Sequence, residues 1–407
     1  MSQLMELIDK YCPHGVQFRE LGEISSFIGG LTGKSKQDFV NGNKKFVTYM
    51  NVYNNPSVDT SAEDMVVIHD GERQNKLCFG DIIITGSSET PDDSCMSSVL
   101  DTPIDDDLYL NSFCFALRLN EPVLLPRFSS YLFRSTEIRK QLVKTVSGVT
   151  RFNVSKEKMK FVKIPIPPIE IQEEIVRVLD NFSELVAGLQ SEIEKRKMQY
   201  EHYRDAILDF DKNGIEHDKL TIVDVCSFVT SGGTPKSTTK EYYGGDIPWL
   251  RTQEVDWTDI YDTGVKITQL GYDNSSAKMI KENCVIVAMY GATAGKVAIN
   301  RIPLCTNQAC CNLEINPEKA LFEYVYYCLS KDYLVLKGKG QGSQSNINAG
   351  IVKGHPICVP QLEIQLELVK KIQTFTTAIE SLQEELELRI KQFEYYRDKL
   401  LTFNEES

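Results

Sequence analysis

Two stretches of the chain carry apolar residues at alternating steps of four and three. In the first, Ile175, Leu179, Phe182, Val186, Leu189, Ile193, Tyr200, Tyr203, Ile207 and Phe210 keep the repeat, and only Arg196 interrupts it. In the second, Leu368, Ile372, Phe375, Ile379, Leu382, Leu386, Phe393, Tyr396, Leu400 and Phe403 do the same around Arg389. A period of 3.5 residues held for about five heptads is the seam of a coiled coil rather than the broad face of a surface helix. The pattern therefore predicts one long helix over 171–210 and another over 364–403. Prolines stand ahead of both, where a missing N–H is tolerated. An arginine inside an apolar stripe is costly unless it pairs with a carboxylate or reaches past the stripe. Glu192, Glu194, Glu385 and Glu387 are within reach along the helices.

The two helices are copies of one another. Residues 167–210 align without a gap on 360–403, and 19 of the 44 positions are identical, too many for coincidence. The same offset joins Asn153-Val154 to Asn346-Ile347. A second match pairs Gly15-Val16 through Leu21 with Gly214-Ile215 through Leu220. Between these anchors the halves look unlike. A duplicated frame with divergent inserts means one scaffold doing the same job on two different targets. The inserts, 20–165 and 220–355, mix short β-like runs such as Phe46–Tyr49, Ser112–Leu119 and Val285–Met289 with helical stretches at Arg127–Lys144 and Phe322–Leu336. The fold expected is α+β: two α+β domains, residues 1–166 and 213–359, separated by two long helices, 167–212 and 360–407, that pair antiparallel as a coiled coil with an internal pseudo-two-fold repeat.

Composition narrows the function. The apolar share of 42% and charged share of 25% are those of an ordinary globular protein. No apolar run is long enough for a membrane span, and the first residues lack the basic-then-apolar pattern of a secretory leader. Eleven cysteines, with no C-x-x-C pair, read as reduced thiols of a cytoplasmic protein. The net charge of −12 does not by itself favour nucleic acid. Its largest shares fall on the two helical segments, which leaves the inserts near neutral and free to carry a local basic face. Gly33-Lys34-Ser35 is a near miss for a phosphate-binding loop, since Ile28 stands where the first glycine belongs. There is no Asn-Pro-Pro-Tyr-type tetrapeptide, no H-E-x-x-H pair and no defensible nuclease site, so no catalytic residue, metal site or cofactor is assigned to this chain.

The second insert adds a resemblance. Ser231-Gly232-Gly233-Thr234-Pro235-Lys236, followed by Tyr243-Gly244-Gly245-Asp246-Ile247-Pro248-Trp249-Leu250-Arg251, resembles the opening of a target-recognition domain in the specificity subunits of type I restriction-modification systems. Tyr290-Gly291-Ala292-Thr293-Ala294-Gly295-Lys296, then Thr306-Asn307-Gln308, is similar to that family's later signature, and Gly342-Ser343-Gln344-Ser345-Asn346-Ile347 completes the order. The first insert departs from it: Gly29-Gly30-Leu31-Thr32-Gly33-Lys34 matches loosely, and Gly86-Ser87-Ser88 stands where Gly291-Ala292-Thr293 would.

The resemblance implies a non-catalytic DNA-recognition subunit reading an asymmetric bipartite target on double-stranded DNA. It implies two modification subunits that use S-adenosylmethionine and restriction subunits that use ATP and magnesium, so those cofactors belong to partners. Base edges are read by Arg, Asn and Gln, and phosphates are gripped by Lys, Thr and backbone N–H groups. The expected contacts are Thr234, Lys236, Arg251, Tyr290, Lys296 and Gln344 in the second insert, and Lys34, Lys36, Tyr49, Asn51 and Arg151 in the first. The alternatives are a stand-alone methyltransferase or nuclease, which needs a motif the chain does not show, and a coiled-coil scaffold without DNA, which leaves the divergent inserts unexplained.

Overall fold

The computed structural model describes residues 2–340 and 346–406. It divides into two units, residues 1–190 with 385–407, and residues 191–384.

The first unit is built on a four-stranded antiparallel sheet in the order Ser25–Gly29, Cys114–Leu119, Ile82–Thr85, Ser97–Val99. A three-stranded sheet stands beside it, with Lys44–Val47 at its centre, parallel to Leu108–Leu110 and antiparallel to Met65–Val66. Ile82, Ile83 and Ile84 are all buried, because the two faces of this strand pack into different cores. A strand covered on both faces reads as an unbroken apolar run without alternation.

The second unit has a five-stranded sheet in the order Cys226–Ser231, Cys310–Ile315, Val285–Ala288, Val297–Asn300, Asp259–Ile260. Its second sheet again sets a parallel pair, Tyr243–Leu250 with Leu304–Thr306, at the centre. The two inserts that look unlike in sequence therefore share a core strand order, to which the second adds Asp259–Ile260 and Met279–Ile280 and the first a small sheet of Val146–Ser147, Phe152–Val154 and Ser87–Ser88. The correspondence extends to single backbone bonds: Asn111 N donates to Val47 O as Asn307 N does to Leu250 O, and Gly86 N to Phe113 O as Met289 N does to Ala309 O. Gly86 thus corresponds to Met289, two positions before Gly291, the residue the sequence match set opposite it.

Each domain closes on a two-stranded antiparallel ribbon, Gln17–Glu20 with Lys163–Ile166 and Asp218–Thr221 with Pro356–Val359. The ribbons also correct a register. Leu21 N donates to Val162 O and Ile222 N to His355 O, so Leu21 corresponds to Ile222 rather than to Leu220.

The long helices run Ile169–Ile207 and Leu362–Leu400. They stop short of Phe210 and Phe403. After the first, Asp209 caps a separate short helix, Phe210–Asn213, that ends on Gly214 at φ 63; Phe210 still packs in its domain's core. In the first unit Phe182 stacks on Tyr396 at 5.2 Å, and in the second Tyr203 lies against Phe375 at 4.7 Å. In each unit the early part of one helix meets the late part of the other, which is an antiparallel pairing. Ile175, Leu179, Ile193, Leu368, Ile372, Ile379 and Leu400 are buried as the heptads require. The two arginines leave the stripe: Arg196 pairs with Glu192 at 2.7 Å and Arg389 with Glu385 at 3.3 Å, each one turn back. Glu194 and Glu387 are not used.

Both helices are fastened to their domains by the same buried residue. Gln172 donates to Val123 O and Pro167 O and accepts from Leu125 N, each at 2.8 Å. Gln365 donates to Lys319 O at 3.2 Å and Pro360 O at 2.8 Å and accepts from Leu321 N at 2.9 Å. Leu125 and Leu321 cap the short helices Pro126–Leu132 and Phe322–Lys331. A fully buried amide with all three of these bonds made costs little, whereas its loss strands backbone groups away from water.

Lys34 has a structural role. Its side chain is 6% exposed, and its Nζ donates to Val67 O at 2.6 Å and to the Glu72 carboxylate at 2.7 Å. That bond, with further bonds from His69 N and Gln74, holds the Glu72 carboxyl down to about 2.

Two predictions follow from these ties. Both tryptophans, Trp249 and Trp257, lie in the second unit. Gln365→Leu should lower the stability seen by tryptophan fluorescence in urea by about 3 kcal/mol. Gln172→Leu should act mainly on the helical circular-dichroism signal, and an unmoved fluorescence midpoint in Gln365→Leu would make the clamp dispensable. For Glu72, the folded value lies below the unfolded one, so its stabilisation is complete above about 4.5 and fades as pH falls toward about 2. Lys34→Met should lower stability at pH 7 and flatten the loss between those limits, measured by urea titrations across that range.

Candidate nucleic-acid interface

In the second unit, two glycines bring a loop against a strand end. A Cβ on Gly232 would stand 1.9 Å from Thr306 O, so no side chain fits there. Gly233 N donates to Thr306 O, and Trp249 Nε1 donates to Gly233 O at 2.9 Å, which fixes the turn. The next residue, Thr234, is thereby carried to Gln308, and its hydroxyl bonds the Gln308 amide oxygen. From the other side Met289 N donates to Ala309 O and Ile347 N to Met289 O. Gly291, at φ 79, turns its N–H onto Asn346 Oδ1 at 3.0 Å. Thr234, Gln308, Tyr290 and Asn346 thus converge at one end of the main sheet, and Tyr290 is 45% exposed.

Lys236 is exposed next to this cluster and makes no ion pair among the described residues. Arg251 and Lys296 belong to a neighbouring pair of loops, tied together where Thr293 Oγ1 donates to Thr252 O at 2.8 Å. Both cations are neutralised, Arg251 by Glu254 at 3.2 Å and Lys296 by Asp256. Gln344 lies outside the described residues.

The first unit has its own version of the cluster. A Cβ on Gly30 would stand 2.1 Å from Asn111 O, a close approach like that at Gly232 but one carbonyl further along the strand end. Val154 N donates to Gly86 O, and Gly86 N to Phe113 O. Tyr49 OH donates to Ser87 O at 3.0 Å, and burial pushes its phenol up. Phe113 is 55% exposed, and the Arg151 guanidinium lies over its ring at 5.8 Å. Tyr49, Ser87, Phe113 and Arg151 therefore come together. Lys36 is exposed at the start of the short 3-10 helix Lys36–Phe39, apart from this cluster and next to Lys34, whose ammonium is already engaged.

Asn51 corrects an expectation, as Lys34 does. It is 8% exposed, and its amide bonds Asp59 through both Nδ2 and Oδ1, at 2.9 and 3.0 Å. It braces a loop and offers nothing to a ligand.

Gln308, Asn346 and Phe113 join the candidate groups from the structure. Gln308 closes the Thr306-Asn307-Gln308 motif, and Asn346 matches Asn153 in the repeat. Phe113 carries no sequence signal, because an apolar residue ending a strand reads as core. The second cluster offers amides and a tyrosine, groups that suit adenine and the thymine methyl; the first offers a stacked arginine, which suits guanine or phosphate. Among the described residues no three His, Cys, Asp or Glu side chains are gathered to hold a metal ion.

Comparison with known proteins places this geometry. The family model described as the type I restriction modification DNA specificity domain matches residues 13–195 and again 215–392. The chain is 34% identical over 259 residues to the type I restriction enzyme EcoR124I/EcoR124II specificity subunit of Escherichia coli, covering 59% of this chain and 63% of that one. It is 27% identical over 195 residues to the type I restriction enzyme MjaIX specificity subunit of Methanocaldococcus jannaschii, covering 44% and 45%. These alignments span less than two thirds of either relative. A solved structure reported for complex assembly and conformational transition of the type I R-M system has the same fold, with a TM-score of 0.62 at 16% identity, over 95% of this chain and 97% of that one. Two matches to one domain model, falling on the two copies of the repeat, establish that the chain belongs to the type I restriction-modification DNA specificity family.

Proposed function

We propose that this chain is the DNA-recognition subunit of a type I restriction-modification complex, without an active site of its own. One observation carries the reading: one core strand order is used twice, and the two copies present different groups at the same edge. A scaffold repeated with its reading edge changed suits two unlike half-sites of one bipartite target. Residues 1–166 and 213–359 form the two target-recognition domains, and 167–212 and 360–407 form the helical frame.

In the second domain Thr234, Tyr290, Gln308, Asn346 and, from its position in the chain, Gln344 are the base-reading candidates, with Lys236 on phosphate. Arg251 and Lys296 reach DNA only by leaving Glu254 and Asp256. In the first domain Arg151 on Phe113 reads, with Tyr49 behind it, and Lys36, apart from this cluster, is a phosphate candidate. Methyl transfer from S-adenosylmethionine belongs to two modification subunits, and ATP- and magnesium-dependent cleavage to restriction subunits. The complex works in the cytoplasm.

The test is an exchange of residues 220–345 for the matching part of a related subunit, followed by mapping of the methylated motif made with the modification subunit. One half of the motif should change and the other should stay. A motif altered in both halves would contradict independent reading. Within the parent protein, Gln308→Ala should cost about 1–3 kcal/mol on the target and relax one position, leaving affinity for unrelated DNA unchanged.

A further inference from the structure

The two copies differ where each short helix faces its long helix. In the first unit Arg127 fills this place. Its Nε donates to Asp180 Oδ1 at 2.8 Å, its Nη1 to Ser57 Oγ at 2.7 Å and its Nη2 to Tyr131 OH at 3.2 Å. Tyr131 OH donates in turn to Asp180 and also meets Ser183 Oγ at 3.0 Å, with the Phe393 ring 6.1 Å away. One guanidinium thus buckles the domain to the helix.

The glutamine clamp gives the equivalent positions in the second unit without ambiguity. Leu125 corresponds to Leu321, so Arg127 is replaced by Glu323 and Tyr131 by Tyr327. The helix repeat makes Asp180 into Gln373, Ser183 into Thr376 and Phe393 into Tyr200. The cation at this position is gone and a carboxylate stands in its place, while Arg204, Arg301, Lys197 and Lys331 line the same region. A cleft of about 1200 Å³ opens there, and all five of these replacements line it. Tyr327 is 7% exposed, yet its hydroxyl has no hydrogen-bond partner among the described residues. Neither the Glu323 carboxylate nor the Gln373 amide has one among them. The two arginines at the cleft are already committed, Arg204 to Asp205 at 2.7 Å and Arg301 to Asp259 at 2.8 Å.

In the other copy Arg127 is held by the Asp180 and Asp101 carboxylates and the Ser57 and Tyr131 hydroxyls. This cleft again offers a phenol and a carboxylate, the acid moved across the site, with a free amide and an aromatic wall beside them. We propose that the second unit's cleft is a docking site for an arginine side chain of a modification subunit, bound between Glu323, Gln373 and Tyr327 against Tyr200. This rests on the reading of the chain as a subunit of such a complex. Planar guanidinium fits because it bonds a carboxylate in two places while stacking on an aromatic ring; an ammonium does not. Burial pushes the Tyr327 phenol up, so it stays neutral and can accept from the guanidinium while donating to Glu323 or Gln373. The first unit, having its own arginine, has no such vacancy, so the site distinguishes the two ends of the frame chemically.

The experiment titrates the full chain with its modification subunit by calorimetry. Glu323→Gln, nearly isosteric, should weaken the complex at least about tenfold and make it less sensitive to salt. Glu323→Arg with Gln373→Asp, which rebuilds the first unit's buckle, should weaken it as much while leaving DNA binding by the isolated chain intact. In otherwise unaltered protein, a photo-crosslinker at Thr376 should join the partner beside an arginine. Wild-type affinity in both variants, or crosslinks confined to partner segments without arginine, would overturn the proposal. So would a loss of DNA binding with partner affinity unchanged. A wild-type chain that binds no modification subunit at all would instead sink the functional reading on which this one stands.

Discussion

Gln172 and Gln365 hold this architecture together. Each sits in the first turn of a long helix, fully buried, and ties three backbone groups: the proline ahead of its own helix and two groups of the loop before a short helix. A glutamine amide offers two donors and one acceptor, which matches two carbonyls and one N–H. Leucine would fill the space and strand all three; glutamate would meet two carbonyls with acceptors only. The clamp fixes where the helix leaves the domain, and so fixes which residues of helix and domain face one another. The Arg127 buckle, and its replacement by Glu323, are consequences of that fixed geometry read out with different side chains.

The acidic chain meets the electrostatic demands of DNA in an economical way. Several of the cations in the recognition domains are held by their own carboxylates, Arg118 by Asp81 and Arg301 by Asp259 among them. The more exposed pairs, such as Lys140 with Glu137, contribute little to stability. They limit non-specific attraction to phosphate, which rises with each free cation. The groups left unpaired at the two loop clusters are amides, aromatics, Lys236 and Arg151.

The coiled-coil frame was legible in the sequence because its signal is a period, and a period survives substitution. The seam, the duplicated segment and the outward turn of Arg196 and Arg389 all follow from it. The shared fold of the two domains was not legible. Its central strands are buried on both faces, so they show no alternation, and the equivalence of the two copies lies in backbone bonds that leave no trace in residue identity. Gly86 and Leu21 mark the consequence: matching by letter put Gly86 opposite Gly291 and Leu21 opposite Leu220, whereas the bonds put them opposite Met289 and Ile222. The candidate site was legible where glycine has a geometric duty. Gly232 and Gly291 pointed to the right loops, and Thr234 and Tyr290 come with them. Lys34 and Asn51 misled because a polar residue in a loop looks free until the loop closes on it.

The central claim is that one clamped scaffold, used twice with unlike loop clusters, reads two unlike half-sites. Its most direct measurement is a map of methylated adenines in DNA modified by this chain with its modification subunit. The account predicts a motif of two different blocks at a fixed separation, with the methylated adenines divided between them. A single continuous motif, or two identical blocks related by a dyad, would contradict it.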